Sequence, residues 1–255
     1  MTLRPSHSVD LRALSRRAPV HFLGVGGAGM CGLAEWMLQE GGAVSGCDLK
    51  AGPSIDRLAS LGAEIWIGHD PAHVESASAL VYTSAVPAGH PELARARERG
   101  IPVLKRAEAL GALVSSGRVV AIAGTHGKTT TTALTVEVLT AAGLDPTGFV
   151  GGTVASWGGN LRRGGSDVFV VEADEFDRSF HTLAPDVAVV TNLEADHLDI
   201  YGDLSGVREA FVQFFDRVRP GGTRIVCADD AGAAALLPDF PDAGPTYGLS
   251  AGTQL

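Results

Sequence analysis

From residue 19 onwards, short apolar runs alternate with longer amphipathic stretches. Val20–Val25, Ala43–Cys47, Glu64–Ile67, Ala79–Thr83 and Pro102–Leu104 are candidate strands. Helical spacing fills the gaps, for example at Cys31–Gln39 and Ile55–Leu61. This strand–helix–strand rhythm predicts a mostly parallel sheet, with ligands at the carboxyl ends of its strands. A second series begins after Lys105-Arg106-Ala107-Glu108, with strands near Val119–Ala123, Asp167–Glu172, Val187–Thr191 and Arg224–Cys227. The pattern therefore predicts an α/β protein of two domains: a Rossmann-like parallel-sheet domain over 1–106 and a second α/β domain over 107–255. Residues 1–18 are polar and basic, as in a loose lead-in. After Arg224–Cys227 there is one short helical stretch, Asp230–Leu237, and then Pro/Gly-rich chain. The second sheet is thus expected to be partial at its C-terminal end, as in a fragment.

Composition narrows the class. A 45% hydrophobic and 19% charged chain of 255 residues is globular and long enough for two buried cores. Its 33 glycines suit tight strand–helix turns. A net charge of −9 argues against a nucleic-acid-binding surface. Cys31, Cys47 and Cys227 are scattered, with neither metal spacing nor a disulfide framework, which favours the reducing cytoplasm. No apolar run approaches ~18 residues and there is no signal-peptide core, so neither a membrane span nor export is expected.

Three constellations carry chemistry. Ala123-Gly124-Thr125-His126-Gly127-Lys128-Thr129-Thr130 lies between a strand and the stretch Thr131–Leu139, which has helical spacing up to Gly143 as a C-cap. Strand, glycine loop, Lys-Thr and helix together suit a nucleoside triphosphate. The amides from Gly124 to Thr130 would face phosphates, Lys128 adds a cation and a hydroxyl reaches Mg²⁺. This loop is shorter than the usual P-loop, because Ile122 occupies the first glycine's place. The second constellation is Gly24-Val25-Gly26-Gly27-Ala28-Gly29, with Asp48 ending the next strand. It suits a diphosphate attached to a ribose, in NAD or a UDP-sugar alike, and also a merely tight β–α turn. The third is a pair of apolar strands ending in polar groups. Val168–Val171 delivers Glu172, placed like the acid that holds Mg²⁺ opposite a P-loop hydroxyl, whereas Asp174 to Asp177 reads better as a solvated acidic turn. Val187–Val190 leads into Thr191-Asn192-Leu193-Glu194-Ala195-Asp196-His197, where His197 is a candidate ligand; one His without a nearby Cys argues against zinc in that loop.

In this order and spacing, these motifs resemble the Mur ligase family from about Pro19 to Gly248. Further carriers are His21-Phe22-Leu23, Met30, Ser45-Gly46-Cys47-Asp48, Gly68-His69, Thr83-Ser84-Ala85-Val86 and Glu172-Ala173-Asp174-Glu175. The resemblance implies three domains: a UDP-sugar domain, a central P-loop ATPase domain and a C-terminal domain that completes the ATP and amino-acid sites. It implies ATP-dependent amide formation on UDP-N-acetylmuramate through an acyl phosphate, in peptidoglycan synthesis. L-alanine is the favoured amine, because Tyr201 to Arg219 lacks the lysine that sister ligases modify. The same resemblance gives Lys128 a place at the β/γ-phosphates, and Thr129 and Glu172 a Mg²⁺. His197 would hold a second Mg²⁺. Gly26, Gly27, Ala28, Gly29 and Met30 would cradle the diphosphate, with Asp48 and Ser84 nearby. Two departures are local: Cys47 stands where the family commonly has Ser, and His90-Pro91-Glu92 replaces Asn-Pro-Glu. A murein-peptide ligase and a catalytically silent UDP-muramate and ATP-binding fragment are alternatives. A folylpolyglutamate-type ligase lacks the first glycine-loop domain, and an NAD oxidoreductase leaves the P-loop unexplained.

Overall fold

The structure, a computed structural model, describes residues 9–250. The chain folds as two compact units, the first running to Leu113 and the second starting at Val114. In the first unit, α1 (Leu11–Ser15) replaces part of the expected loose lead-in. Asp10 caps it by accepting from Ala13 N at 2.9 Å, and Leu11 is buried. Residues 1–8 of that lead-in lie outside the described residues.

Five parallel strands then form one sheet: β1 (Val20–Leu23), β2 (Val44–Asp48), β3 (Glu64–Ile67), β4 (Ala79–Tyr82) and β5 (Val103–Lys105), in the order β3-β2-β1-β4-β5. Val20 pairs with Val44 on one side and Ala79 on the other, so β1 is covered on both edges and every one of its residues is buried. Apart from His21 the strand is apolar, as burial on both faces of a parallel sheet favours. The connecting helices are α2 (Ala28–Gln39), α3 (Pro53–Ser60), α4 (Pro91–Glu98) and α5 (Arg106–Val114), the last running across the point of division. Strand order reverses between β1 and β4, which opens a crevice at their carboxyl ends.

The second unit has seven strands among its described residues, in the order β12-β11-β10-β6-β9-β7-β8. The apolar pattern names four of them: β6 (Arg118–Ala123), β9 (Val168–Glu172), β10 (Val187–Val190) and β11 (Thr223–Cys227). The sheet is therefore fuller than expected. β7 (Thr147–Val154) carries three glycines, β8 (Gly159–Arg162) is short, and β12 (Thr246–Tyr247) is two residues long, so none has a readable period. β8 is the antiparallel strand, a hairpin partner of β7. Helix α6 (Lys128–Ala141) follows β6, and α7 (Leu198–Tyr201), α8 (Leu204–Asp216) and α9 (Ala231–Ala234) complete the unit. The apolar positions of α6 do not form one buried face. Thr132 and Val136 are buried, whereas Leu134 and Val138 are 60% and 66% exposed.

Candidate functional site

In the second unit, β6 delivers the loop 124–127 at the centre of its sheet. Gly124 has φ +140°, and a Cβ there would lie 2.1 Å from Thr191 Oγ1, so only glycine fits. Gly127, at φ +77°, caps α6, whose first amides have no intrahelical acceptor and face the helix N-terminus. The loop after β10 braces this turn. Asn192 Oδ1 accepts from His126 N at 2.7 Å while Asn192 Nδ2 donates to His126 O at 3.0 Å. Thr191 Oγ1 also donates to His126 O (2.9 Å), and Glu194 N donates to Thr125 Oγ1 (3.0 Å). Thr130 is exposed in the first turn of α6.

Thr129 Oγ1 donates to Glu172 Oε2 at 2.8 Å, so the hydroxyl and carboxylate are close enough to share one cation. Gly151 N also donates to Glu172 Oε2 (2.7 Å), and a Cβ at Gly151 would lie 3.0 Å from Glu172 Oε1. Glycine in β7 thus leaves room for the carboxylate. Two oxygen donors, one from a P-loop hydroxyl, suit the hard magnesium ion.

Lys128 is folded back. Its Nζ donates to Gly124 O at 2.7 Å, Thr125 O at 3.2 Å and Glu175 Oε1 at 2.9 Å. Glu175 corrects the expectation of a solvated turn at 174–177: it is 2% exposed and is the counter-ion of Lys128. Burial raises the Glu175 carboxyl above the usual carboxylate range, and Lys128 opposes that only in part. Tyr201 OH donates to Glu175 O, and burial, with the Glu175 charge, pushes the Tyr201 phenol up to about 12. His197 has φ +51°, and its Nε2 lies 3.8 Å from Glu175 Oε1. Lys128 and His197 therefore meet through Glu175, a residue whose place the acidic run 172–177 hides in the sequence. Asp196 Oδ1 accepts the His197 amide at 2.7 Å, which shapes the left-handed turn.

In the first unit, the loop after β1 lies at the reversal of strand order. Asp48 Oδ2 accepts from Gly26 N at 2.9 Å. A cavity of 690 Å³ there is lined by Gly24, Gly26, Gly27, Asp48, Thr83 and His90, among others. Ala28, Gly29, Met30 and Ser84 are not among its lining residues. Met30 is 1% exposed and its amide donates to Gly27 O at 2.9 Å. At Gly29 a Cβ would lie 2.7 Å from Arg106 Cδ. Its absence lets Arg106 lie across the start of α2, bringing to the loop a cation that sequence spacing does not reveal.

No helix among the described residues is long and apolar enough to cross a membrane. The pattern of the Mur ligase family catalytic domain matches residues 19–118, and that of the Mur ligase middle domain matches residues 122–253. UDP-N-acetylmuramate–L-alanine ligase of Burkholderia cenocepacia (strain HI2424) is 46% identical over 237 residues, covering 92% of this chain and 51% of that protein. The enzyme of the same name from Kineococcus radiotolerans is 49% identical over 244 residues, covering 93% and 52%. The chain thus spans about half the length of the curated relatives it matches. Among solved structures, UDP-N-acetylmuramate-alanine ligase of Thermotoga maritima superposes with a TM-score of 0.79 at 30% identity, over 91% of this chain and 53% of that one. The UDP-N-acetylmuramate:L-alanyl-gamma-D-glutamyl-meso-diaminopimelate ligase from Neisseria meningitides also gives 0.79 at 30% identity, over 87% and 75%. A P-loop braced by Asn192, a Thr129–Glu172 pair and a glycine-loop cavity in a separate sheet are all accounted for by one conclusion: the chain belongs to the Mur ligase family.

Proposed function

We propose that this chain carries the UDP-N-acetylmuramate and ATP sites of a cytoplasmic ligase that joins L-alanine to UDP-N-acetylmuramate in peptidoglycan precursor synthesis. The observation that carries the reading is the Thr129–Glu172 contact of 2.8 Å next to Lys128 at the start of α6. In this reading the muramate carboxylate attacks the γ-phosphorus of ATP, releasing ADP and leaving an acyl phosphate. The amine of L-alanine then displaces phosphate to form the amide. Lys128 leaves the carbonyls of Gly124 and Thr125 for the β/γ-phosphates and offsets charge on the transferring group. Thr129 and Glu172 would hold one Mg²⁺, which supplies charge neutralisation. His197, with the Glu175 carboxylate as its oxygen neighbour, is the candidate for a second, and that assignment rests on the family resemblance. Gly26, Gly27 and Asp48 face the UDP diphosphate and ribose.

A murein-peptide ligase is the second reading, supported by the equal TM-score of the Neisseria structure. A catalytically silent binding fragment is the third. Turnover with L-alanine, and separately with a peptide, on this chain and on a version extended by a relative's C-terminal half separates all three. In the active form, Lys128→Ala is expected to lower turnover by about 10²–10³-fold, as for loss of one preorganised charge-stabilising group, with the circular dichroism unchanged. Near-normal turnover of that variant would refute the P-loop assignment.

A further inference from the structure

One cluster in the first unit takes no part in the function above. His21 comes from β1, Cys47 from β2, Glu92 from the first turn of α4, and His73 from the short 3₁₀ turn Pro71–Val74. His21, Cys47 and Glu92 are fully buried, and one donor atom from each of the four residues lies within 4.8 Å of every other. We propose that His21, Cys47, His73 and Glu92 form a structural site for a zinc-class transition-metal ion behind the wall of the glycine-loop cavity.

The separations among His21, Cys47 and Glu92 are close to a tetrahedron's edges. Cys47 Sγ is 3.5 Å from His21 Nε2 and 3.3 Å from both Glu92 oxygens; His21 Nε2 is 3.0 Å from Glu92 Oε2. Zn–S and Zn–N bonds of about 2.3 and 2.05 Å at tetrahedral angles give S···N and N···N edges of about 3.6 and 3.3 Å. His73 Nδ1 is buried 3.5 Å from Glu92 Oε1, yet makes no hydrogen bond. A buried ring nitrogen aimed at a carboxylate without bonding to it is what an unfilled ligand position leaves behind. Trp66 stacks on the His73 ring at 4.5 Å and holds it there.

The surroundings are those of a ligand set. His21 Nδ1 lies 3.1 Å from Ser45 Oγ, so with Nε2 on a metal the other ring nitrogen keeps its proton and donates to the hydroxyl. Asp70 N donates to Glu92 Oε1 at 3.0 Å and orients the carboxylate. One thiolate and one carboxylate neutralise a divalent ion in a site that admits no counter-ion. Thiolate plus imidazole selects zinc over magnesium. Binding forms an S–metal bond and releases the thiol proton to solvent. His69, whose Nδ1 is 3.2 Å from Cys47 Sγ, also lines the cavity and marks the entry side. The ion would fix the end of β2, where Asp48 follows Cys47 and receives the Gly26 amide.

Cobalt(II) titration of the whole chain after chelator treatment tests this directly. One equivalent is expected to give a near-ultraviolet thiolate-to-cobalt charge-transfer band with intense tetrahedral visible bands, both abolished by Zn²⁺. The Thr129–Glu172 pair has no sulfur and cannot produce the first band. Cys47→Ser should lose it. His73→Ala, at the accessible rim, should weaken Zn²⁺ by more than about 100-fold in chelator competition, beyond what loss of an outer-shell partner does. If Cys47→Ser does not fold, the His73 variant decides alone. A wild-type chain without the charge-transfer band, a band that survives Cys47→Ser, or Zn²⁺ affinity unmoved by His73→Ala would each overturn the site.

Discussion

Glu175 shows how much one side chain can decide. It is a buried carboxylate whose compensation comes from Lys128, and burial still wins, leaving its proton bound more tightly in the folded chain than in the unfolded one. The sign follows: a group with a raised folded pKa contributes stability that is full below the ordinary carboxylate value and is lost as pH rises through the folded value. Glu175→Gln removes that dependence. Denaturant titrations from about pH 4, near the ordinary glutamate value, to neutrality should show wild type losing stability relative to the variant as pH rises. A constant difference between the two would contradict the assignment. Glu172 was legible in the sequence because it ends an apolar strand, a position that leaves an acid at a cleft. Glu175 lies three residues on in an acidic run, immediately before the 3₁₀ turn Phe176–Thr182, where sequence alone does not distinguish a buried acid from a solvated one.

Among the elements, most parallel strands were legible because strands buried on both faces are largely apolar. The β7–β8 hairpin was not, since Gly148, Gly151 and Gly152 erase any alternation, yet β7 supplies the Gly151 amide to Glu172. Nor could spacing along the chain show that Asn192 pairs with His126 across 66 residues. That brace makes two loops one unit. Asn192→Ala removes a donor and an acceptor from the His126 backbone and should cost about 1 kcal/mol, because the site is partly solvated and water replaces some of the loss. Its nucleotide affinity should fall as well. Thermal unfolding and nucleotide titration check the two effects separately. An unchanged nucleotide affinity would mean that the loop keeps its shape without the brace.

For the whole molecule, the two sheets, each with its own glycine loop after a central strand, were visible as two series of apolar runs, and the two units have their own cores. The buried His–Cys–Glu cluster was invisible at this scale, because its four members come from separate segments that meet only when β1, β2 and α4 pack. The folded-back Lys128 has a further consequence, for the protons exchanged with solvent. When a triphosphate draws the ammonium away, Glu175 remains buried without its cation, and a carboxyl already inclined to hold a proton becomes more so. On the proposed reading, nucleotide capture should then be accompanied by proton uptake. Calorimetry in two buffers of different ionisation enthalpy would show it as a buffer-dependent heat, absent in Glu175→Gln. Equal heats in both buffers would mean that Lys128 and Glu175 stay paired while the site fills.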